Sequence, residues 1–360
     1  MPATEQTIIP AQLSTKQIEA LLHDLVTIPS LSTQEAGAVR HLVDWMQTHG
    51  SAQAFVDEAG NAVGIFGSGL RTLVLLGHID TFAGFPEIRR EGRLLYGRGT
   101  VDAKGPLCAF AAAAAQAQIP QGWRVVVIGA VEEEYVTSKG AHFAATQYQP
   151  ELCIIGEPSN WDRLTLGYKG RLLLEWTWRG PLAHSASQQP SGPERAFDYW
   201  QQVQGWAEDY NAEHARLFDQ LNATVQEINS GHEGAYGWTR MLIGFRLPPA
   251  LSPQALAASL PLPQDAETHF YGQEEPVSVE RDTALSRLMR RAVRAEGGTP
   301  AFVYKTGTSD MNIVAPRWRC PILAYGPGDS ALDHTPEEHI DLDEYLRAVR
   351  VLIRALEALD

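Results

Sequence analysis

A mixed, mostly parallel α/β sheet interrupted by an inserted ferredoxin-like α+β domain is predicted by three features of the sequence. First, the compact apolar runs Arg71–Gly77, Trp123–Val131 and Leu152–Gly156 alternate with helix-like stretches such as residues 106–118, the pattern of buried parallel strands. Second, from residue 166 the order becomes strand, helix, strand, strand, helix, strand, which is the split βαββαβ unit. Third, the chain then returns to α/β, with a helical pattern from Thr283 to Ala295 and apolar runs at Phe302 and Ile322.

The individual elements follow from local chemistry. Ser14 with Gln17 three residues later reads as a capped helix start, and Ala36 to Thr48 carries apolar residues at helical spacing. The Ala-rich stretch from Ala109 to Ala117 predicts a helix lying close to the sheet, because Ala combines the best helix propensity with a small side chain. In the second region Gly170–Gly180 reads as a strand, residues 193–221 as a long helical segment, and Thr224–Asn229 and Trp238–Leu247 as strands. A short helix after Ser252 and a strand over Glu267–Tyr271 complete it. The expected division is one discontinuous domain over residues 1–165 and 276–360, interrupted by a lid over residues 166–275. No internal repeat is visible.

Composition narrows the functional classes. The chain has 360 residues, 44% hydrophobic and 20% charged, which is ordinary for a globular protein. A net charge of −14 argues against nucleic acid, whose phosphates need a concentrated basic surface. It also opposes an acidic protein partner unless basic residues gather locally. Cys108, Cys153 and Cys320 are widely spaced in apolar contexts and form no CxxC pair, so buried thiols are expected and a disulfide framework is not. No segment approaches the roughly 18 apolar residues of a membrane span, and the first residues carry no basic, apolar leader, so the cytoplasm is the expected compartment.

Five short clusters carry the chemistry: Gly77-His78-Ile79-Asp80, Val101-Asp102-Ala103-Lys104-Gly105, Glu132-Glu133-Glu134, Gly156-Glu157-Pro158 and Asp333-His334-Thr335. Any one of them would pass as a surface histidine or a solvated acidic run. Three of them directly follow apolar runs, however, and in open α/β sheets the carboxyl ends of the strands carry the ligand site. Imidazoles and carboxylates gathered there can hold divalent ions, and with no cysteine in any cluster zinc or cobalt suits the donors.

The five clusters in this order resemble the M20 family of metallopeptidases and deacylases, which includes acetylornithine deacetylase, succinyl-diaminopimelate desuccinylase and the carboxypeptidase G type. Gly156-Glu-Pro-Ser-Asn, Leu166-Gly-Tyr-Lys-Gly-Arg171, Lys305-Thr-Gly-Thr-Ser-Asp-Met-Asn312 and Tyr325-Gly-Pro-Gly-Asp-Ser resemble, within that family, the hydrolases that release lysine or ornithine from an amino-group carrier protein. The resemblance implies two divalent metal ions, zinc or cobalt, bridged by Asp102, whose carboxylate supplies two oxygens. It implies His78 and Glu157 on one ion and Glu133 and His334 on the other, with Asp80 accepting a proton from the His78 ring. Glu132 becomes the general base, and Glu134 is expected to be exposed or structural. A cis peptide is implied after Asp102.

In the inserted region His184 is implied as the donor to the tetrahedral oxyanion, often across a dimer interface that the lid provides, with lid closure assembling the site. Arg246 would grip the substrate carboxylate bidentately. Lys305 and Thr306 offer a cation, a hydroxyl and backbone N–H groups to a second anionic part of the substrate. Lys169 and Arg171 are further candidate contacts. The expected activity is hydrolysis of the amide on the α-nitrogen of a basic amino acid, releasing lysine or ornithine from a carrier protein. The alternatives are a small N-acyl deacylase of the acetylornithine type and, in another class, a non-catalytic metal- or amino-acid-binding protein.

Overall fold

The computed structural model describes residues 12–84, 86–182, 184, 186 and 188–360. The chain divides into two compact units, one of Met1–Leu166, Val279–Val303 and Ser309–Asp360, the other of Gly167–Ser278 and Tyr304–Thr308. Residues 304–308, expected in the first unit, fall in the second. Their attachment is visible in the Lys169 N–H donating to the Lys305 carbonyl at 3.3 Å and in Arg246 donating to the Thr308 hydroxyl at 2.9 Å.

The N-terminal part of the first unit begins with α1 (Thr15–Thr27), started by the expected Ser14/Gln17 capping box, and α2 (Ala36–Thr48). Strands β1 (Gln53–Val56), β2 (Ala62–Gly67) and β3 (Arg71–His78) follow, then the short β4 (Arg89–Glu91) and β5 (Leu94–Tyr96). After α3 (Lys104–Gln116) come β6 (Trp123–Ala130), α4 (Lys139–Gln147), β7 (Leu152–Gly156) and β8 (Arg163–Tyr168). β3 pairs in parallel with β6 on one side and β7 on the other. The register sets His78 beside Ala130 and Gly77 beside Gly156, so all three strands end at one level. That levelling brings residues 78–80, 131–134 and 157 to one edge of the sheet.

Helix α3 packs on these strands and on α1, and its alanines 111–115 are buried. The close approach is enforced at Gly156, where an added Cβ would meet the Phe110 ring at 2.8 Å. At its start the buried Lys104 ammonium donates to the carbonyls of Leu25 and Ile28 at the end of α1, at 3.1 and 2.7 Å. Burial pulls that ammonium down to about 8. Lys104 thus ties α3 to α1.

The second unit contains β9 (Gly170–Pro181), α5 (Gly192–Asn211), β10 (Asn222–Glu233), β11 (Tyr236–Leu247), α6 (Pro253–Ser259) and β12 (Glu267–Glu274). Its strands pair antiparallel in the order β10-β11-β9-β12, the ferredoxin-like arrangement. Leu172, Leu174 and Trp176 of β9 bury against Tyr199 and Val203 of α5 and Met241, Ile243 and Phe245 of β11. The helix expected to reach residue 221 stops at Asn211. There the Asn211 side chain accepts from the Leu221 N–H at 2.7 Å and donates to its carbonyl at 2.8 Å, folding the intervening loop back. β13 (Val277–Ser278) closes the unit by pairing with Tyr168 and Gly167.

The chain then forms α7 (Ala284–Ala295), β14 (Ala301–Lys305), α8 (Asp310–Trp318) and β15 (Ile322–Ala324), the last inserted parallel to β7. β16 (His339–Asp341) pairs with β5, and α9 (Leu342–Glu357) packs on α3. Among the described residues no helix is long and apolar enough to cross a membrane. The three cysteines are unpaired, with Cys108 and Cys153 buried as expected and Cys320 partly so.

Candidate metal centre

His78 closes β3, and its two ring nitrogens have different partners. Nδ1 lies 3.0 Å from the Asp80 backbone carbonyl, which can only accept, so Nδ1 carries a proton and Nε2 is the ring nitrogen that faces the site. Nε2 lies 3.0 Å from Asp102 Oδ1. The Asp80 carboxylate, expected to receive the imidazole proton, is 3.5 Å from Nδ1 and has other work. It accepts the N–H groups of Glu133 and Glu134, each at 3.0 Å, and the Ser32 hydroxyl at 2.8 Å. The main-chain carbonyl is the nearer acceptor for the ring, and the carboxylate, also within reach of it, anchors the loop after β6.

Asp102 faces both imidazoles, with Oδ1 toward His78 and Oδ2 at 3.1 Å from His334 Nε2. His334 Nε2 also lies 2.9 Å from Glu134 Oε1, and its ring stacks on Phe82 with centroids 4.4 Å apart. Two donor groups result, one of His78, Asp102 and Glu157 and one of Asp102, Glu134 and His334, the donor atoms of each lying within 4.8 Å of one another. They share Asp102, as two ions about 3.5–4 Å apart require of a bridging ligand. The Asp102–Ala103 peptide is cis, as the resemblance implies.

The three adjacent glutamates are placed one residue later than expected. Glu132 has a left-handed backbone (φ 60°), and its carboxylate turns to the Thr137 hydroxyl and to Lys139, 4.0 Å away, outside both groups. Glu133, expected as the ligand beside His334, instead has Oε2 4.0 Å from His78 Nε2. Glu134, expected to be exposed or structural, joins Asp102 and His334. β6 ends at Ala130, so strand alternation no longer governs which glutamate turns inward, and the positive φ at Glu132 carries the next two side chains into the site.

Burial pushes the carboxyls of Glu133 and Glu157 well above the usual range against the opposing pull of His78, and neighbouring carboxylates reinforce the shift. Burial also raises the Glu134 carboxyl. Asp102 is buried too, yet hydrogen bonds from His334 and His78 hold it well below the ordinary value. His334 is pushed up to about 10 by its bonds to Asp102 and Glu134. A pocket this rich in buried carboxylate favours positive charge.

The remaining candidates belong to the second unit. Arg246 ends β11 with Nη1 donating to Thr308. Lys305 is half-buried and Thr306 exposed just after β14. Arg171 pairs with the buried Glu274, and the Lys169 ammonium donates to the Gln220 carbonyl and the Asn222 side chain at 2.6 and 2.5 Å. Lys169 and Arg171 therefore serve the unit's own contacts. His184 is exposed, accepts the Ala186 N–H at 3.1 Å on Nδ1, and lines a cavity of about 860 Å³ with Trp178, Arg195 and Trp238.

The sequence profile of peptidase family M20/M25/M40 matches residues 74–358, a span that contains every donor described above. The chain belongs to this family. The M20 chain is 46% identical to a LysW-lysine hydrolase of Deinococcus radiodurans, over 94% of its own length and 96% of the relative's. It is 27% identical to a LysW-lysine/LysW-ornithine hydrolase of Saccharolobus solfataricus, over 97% of each chain. Its fold matches an M20 family metallo-carboxypeptidase from Sulfolobus solfataricus with a TM-score of 0.72 at 17% identity, covering 95% of this chain and 98% of that one. A tripeptidase from Staphylococcus aureus matches with a TM-score of 0.73 at 15% identity, covering 96% and 98%.

The M20 family implies divalent metal ions, and the donor set of this chain fits them: two imidazoles and three carboxylates, thiolate-free, with one carboxylate facing both imidazoles. Sequence reasoning missed two buried residues beside this centre, Arg98 and Glu338. Charged side chains in polar stretches give no sequence signal of burial.

Proposed function

We propose that this M20 chain hydrolyses the amide joining the α-nitrogen of lysine or ornithine to a carrier protein, releasing the free amino acid. The observation that carries the reading is the pair of donor groups sharing Asp102, in a chain 46% identical to a LysW-lysine hydrolase along almost all its length. In this reading His78, Asp102 and Glu157 hold one ion and Asp102, Glu134 and His334 the other, with zinc the first choice and cobalt the alternative. Bound there, the ions would polarise the scissile carbonyl and bring the pKa of water to around 7.

Glu133 is the general base of this reading. Its carboxylate is largely buried, stands near His78 and belongs to neither donor group, so it is available to take a proton from water and deliver it to the leaving nitrogen. Asp80 holds Glu133 and Glu134 in place through their N–H groups. By resemblance, Arg246 receives the substrate α-carboxylate, Lys305 and Thr306 a second anionic part, and His184 the oxyanion. The same resemblance supports a homodimer through the second unit and a cytoplasmic enzyme.

Removing the ions with a chelator is expected to abolish turnover and to lower the Tm, because ions bound only by the folded state stabilise it. Added zinc or cobalt should restore both, and full activity in the chelated, metal-free protein would sink the two-ion reading. The substrate class is tested by following release of free amino acid from carrier–lysine, acetyllysine and acetylornithine. If contacts remote from the scissile bond contribute to the rate, carrier–lysine should exceed the small substrates in kcat/KM by on the order of 10²-fold. Equal efficiency would leave a small-acyl deacylase, and no turnover of any substrate by metal-loaded protein would favour a binding protein.

A further inference from the structure

Glu338 is fully buried, and every acceptor it offers is used on one short segment. Its Oε1 accepts the N–H groups of Gly99, Val101 and Asp102 at 2.9, 3.0 and 3.2 Å, and its Oε2 accepts from Arg98 Nη1 at 2.6 Å. Arg98, itself only 7% exposed, reaches onward, with Nε donating to the Gly84 carbonyl at 3.2 Å and Nη2 contacting the His334 carbonyl at 3.5 Å. The Gly97 N–H returns to the Glu338 carbonyl at 3.1 Å, just beyond the pairing of β5 with β16. The pair thus grips the backbone at Asp102 and touches that at His334.

We infer that Arg98 and Glu338 are positioning residues for the metal centre, acting on the group of Asp102, Glu134 and His334 more than on the group of His78, Asp102 and Glu157. The inference rests on the two-ion reading. Two observations carry it, the burial of the pair and the backbone it holds. Buried ion pairs are weak stabilisers, because desolvation of two charges offsets most of their attraction, so a burial this complete calls for another account. The account is at hand in the backbone it holds: three of the four peptide N–H groups from Gly99 to Asp102, ending at the residue that the two donor groups share.

Selectivity follows from which donors the pair reaches. His334 has a left-handed backbone (φ 60°), a conformation that a non-glycine residue keeps only where its surroundings hold it. Phe82 stacks on its ring and Arg98 contacts its carbonyl. The donors peculiar to the other group are fixed differently: His78 bonds to the Asp80 carbonyl, and Glu157 follows directly from β7 with its N–H donating to the Ile155 carbonyl at 3.2 Å. Loosening Arg98 and Glu338 should therefore disturb two of the three donors on one side and only the shared Asp102 on the other.

The test is a calorimetric titration of metal-free protein with zinc, repeated with cobalt to read its absorption spectrum. Glu338→Gln keeps the side-chain shape but sets an amide against the Arg98 guanidinium. It is expected to weaken one of the two binding steps by about 10–100-fold, the usual effect of losing a partner behind a ligand, and the other step by less. The cobalt spectrum should change with it. Arg98→Lys, which keeps the charge but loses the fork, should show the same selectivity at smaller size and carries the test if Glu338→Gln does not fold. Glu296→Gln is the control, because Glu296 is a largely buried carboxylate paired with Arg350 and Arg354 away from the centre. It should lower the Tm while leaving both metal steps unchanged. Wild-type affinity at both steps in folded Glu338→Gln or Arg98→Lys would overturn the inference, as would equal weakening of both. Wild-type protein that takes up fewer than two ions would overturn the two-ion reading itself, and the inference with it.

Discussion

Glu133→Gln is expected to leave metal content near that of the wild type while lowering kcat by about 10² to 10⁴-fold, the usual loss when a general base is removed. Glutamine keeps the shape of the side chain and cannot accept the proton. Metal content should survive because Glu133 stands outside both donor groups, with its nearer oxygen 4.0 Å from His78 Nε2. The neighbouring substitutions make the result decisive. Glu134→Gln should lose the ion shared with Asp102 and His334, since its Oε1 is the carboxylate oxygen 2.9 Å from that imidazole. Glu132→Gln should stay within a few-fold of wild-type turnover, because its carboxylate turns to Thr137 and Lys139. A Glu132→Gln protein that keeps its metals and loses turnover would return the base to the position the sequence first suggested. Metal analysis beside steady-state kinetics reads all three variants.

That one-residue displacement marks where sequence reading stops. The sheet was legible because buried parallel strands are continuous apolar runs, and each run ends where the chemistry begins: Gly77 before His78, Gly156 before Glu157. Register then levels those ends, and neither loop needs a special conformation to deliver its side chain. The glutamate triplet is different. Three identical residues follow the last paired residue of β6, and only the backbone decides which of them turns inward. That backbone depends on Asp80, whose carboxylate takes the N–H groups of Glu133 and Glu134, and on Glu35, which takes that of Glu132 at 3.1 Å.

Long-range polar contacts account for the other differences as well. Asn211 ends α5 by bonding a residue ten positions on, and residues 304–308 join the second unit through Lys169 and Arg246. Glu338 and Arg98 stand in stretches that read as solvated loops, and their burial appears only when β16 lies against β5. Apolar periodicity reports on which face of an element is covered. It is silent on which polar side chain captures which distant backbone group.

Arg246→Ala is expected to reduce kcat/KM for carrier–lysine, acetyllysine and acetylornithine by similar factors. All three place a free carboxylate beside the scissile amide, so a residue that grips that group cannot distinguish them. Losing one partner of a desolvated charge pair costs roughly 2–5 kcal/mol, which corresponds to about 30- to 5000-fold. Arg246→Lys should recover only part of the loss, because a single ammonium cannot reproduce the planar two-point contact of a guanidinium. Two features of the second unit make a purely structural role separable. Glu274, the carboxylate that Arg246 also feels, has its own partner in Arg171, so it is not left unpaired by the substitution. Thr308→Val removes the 2.9 Å hydrogen bond while leaving the guanidinium in place, and it should cost far less than Arg246→Ala. Losses that differ widely among the three substrates, or that Thr308→Val reproduces in full, would take Arg246 out of carboxylate recognition. Uniform losses with an unchanged Tm would keep it there and leave the choice between carrier and small acyl group to contacts elsewhere on the substrate.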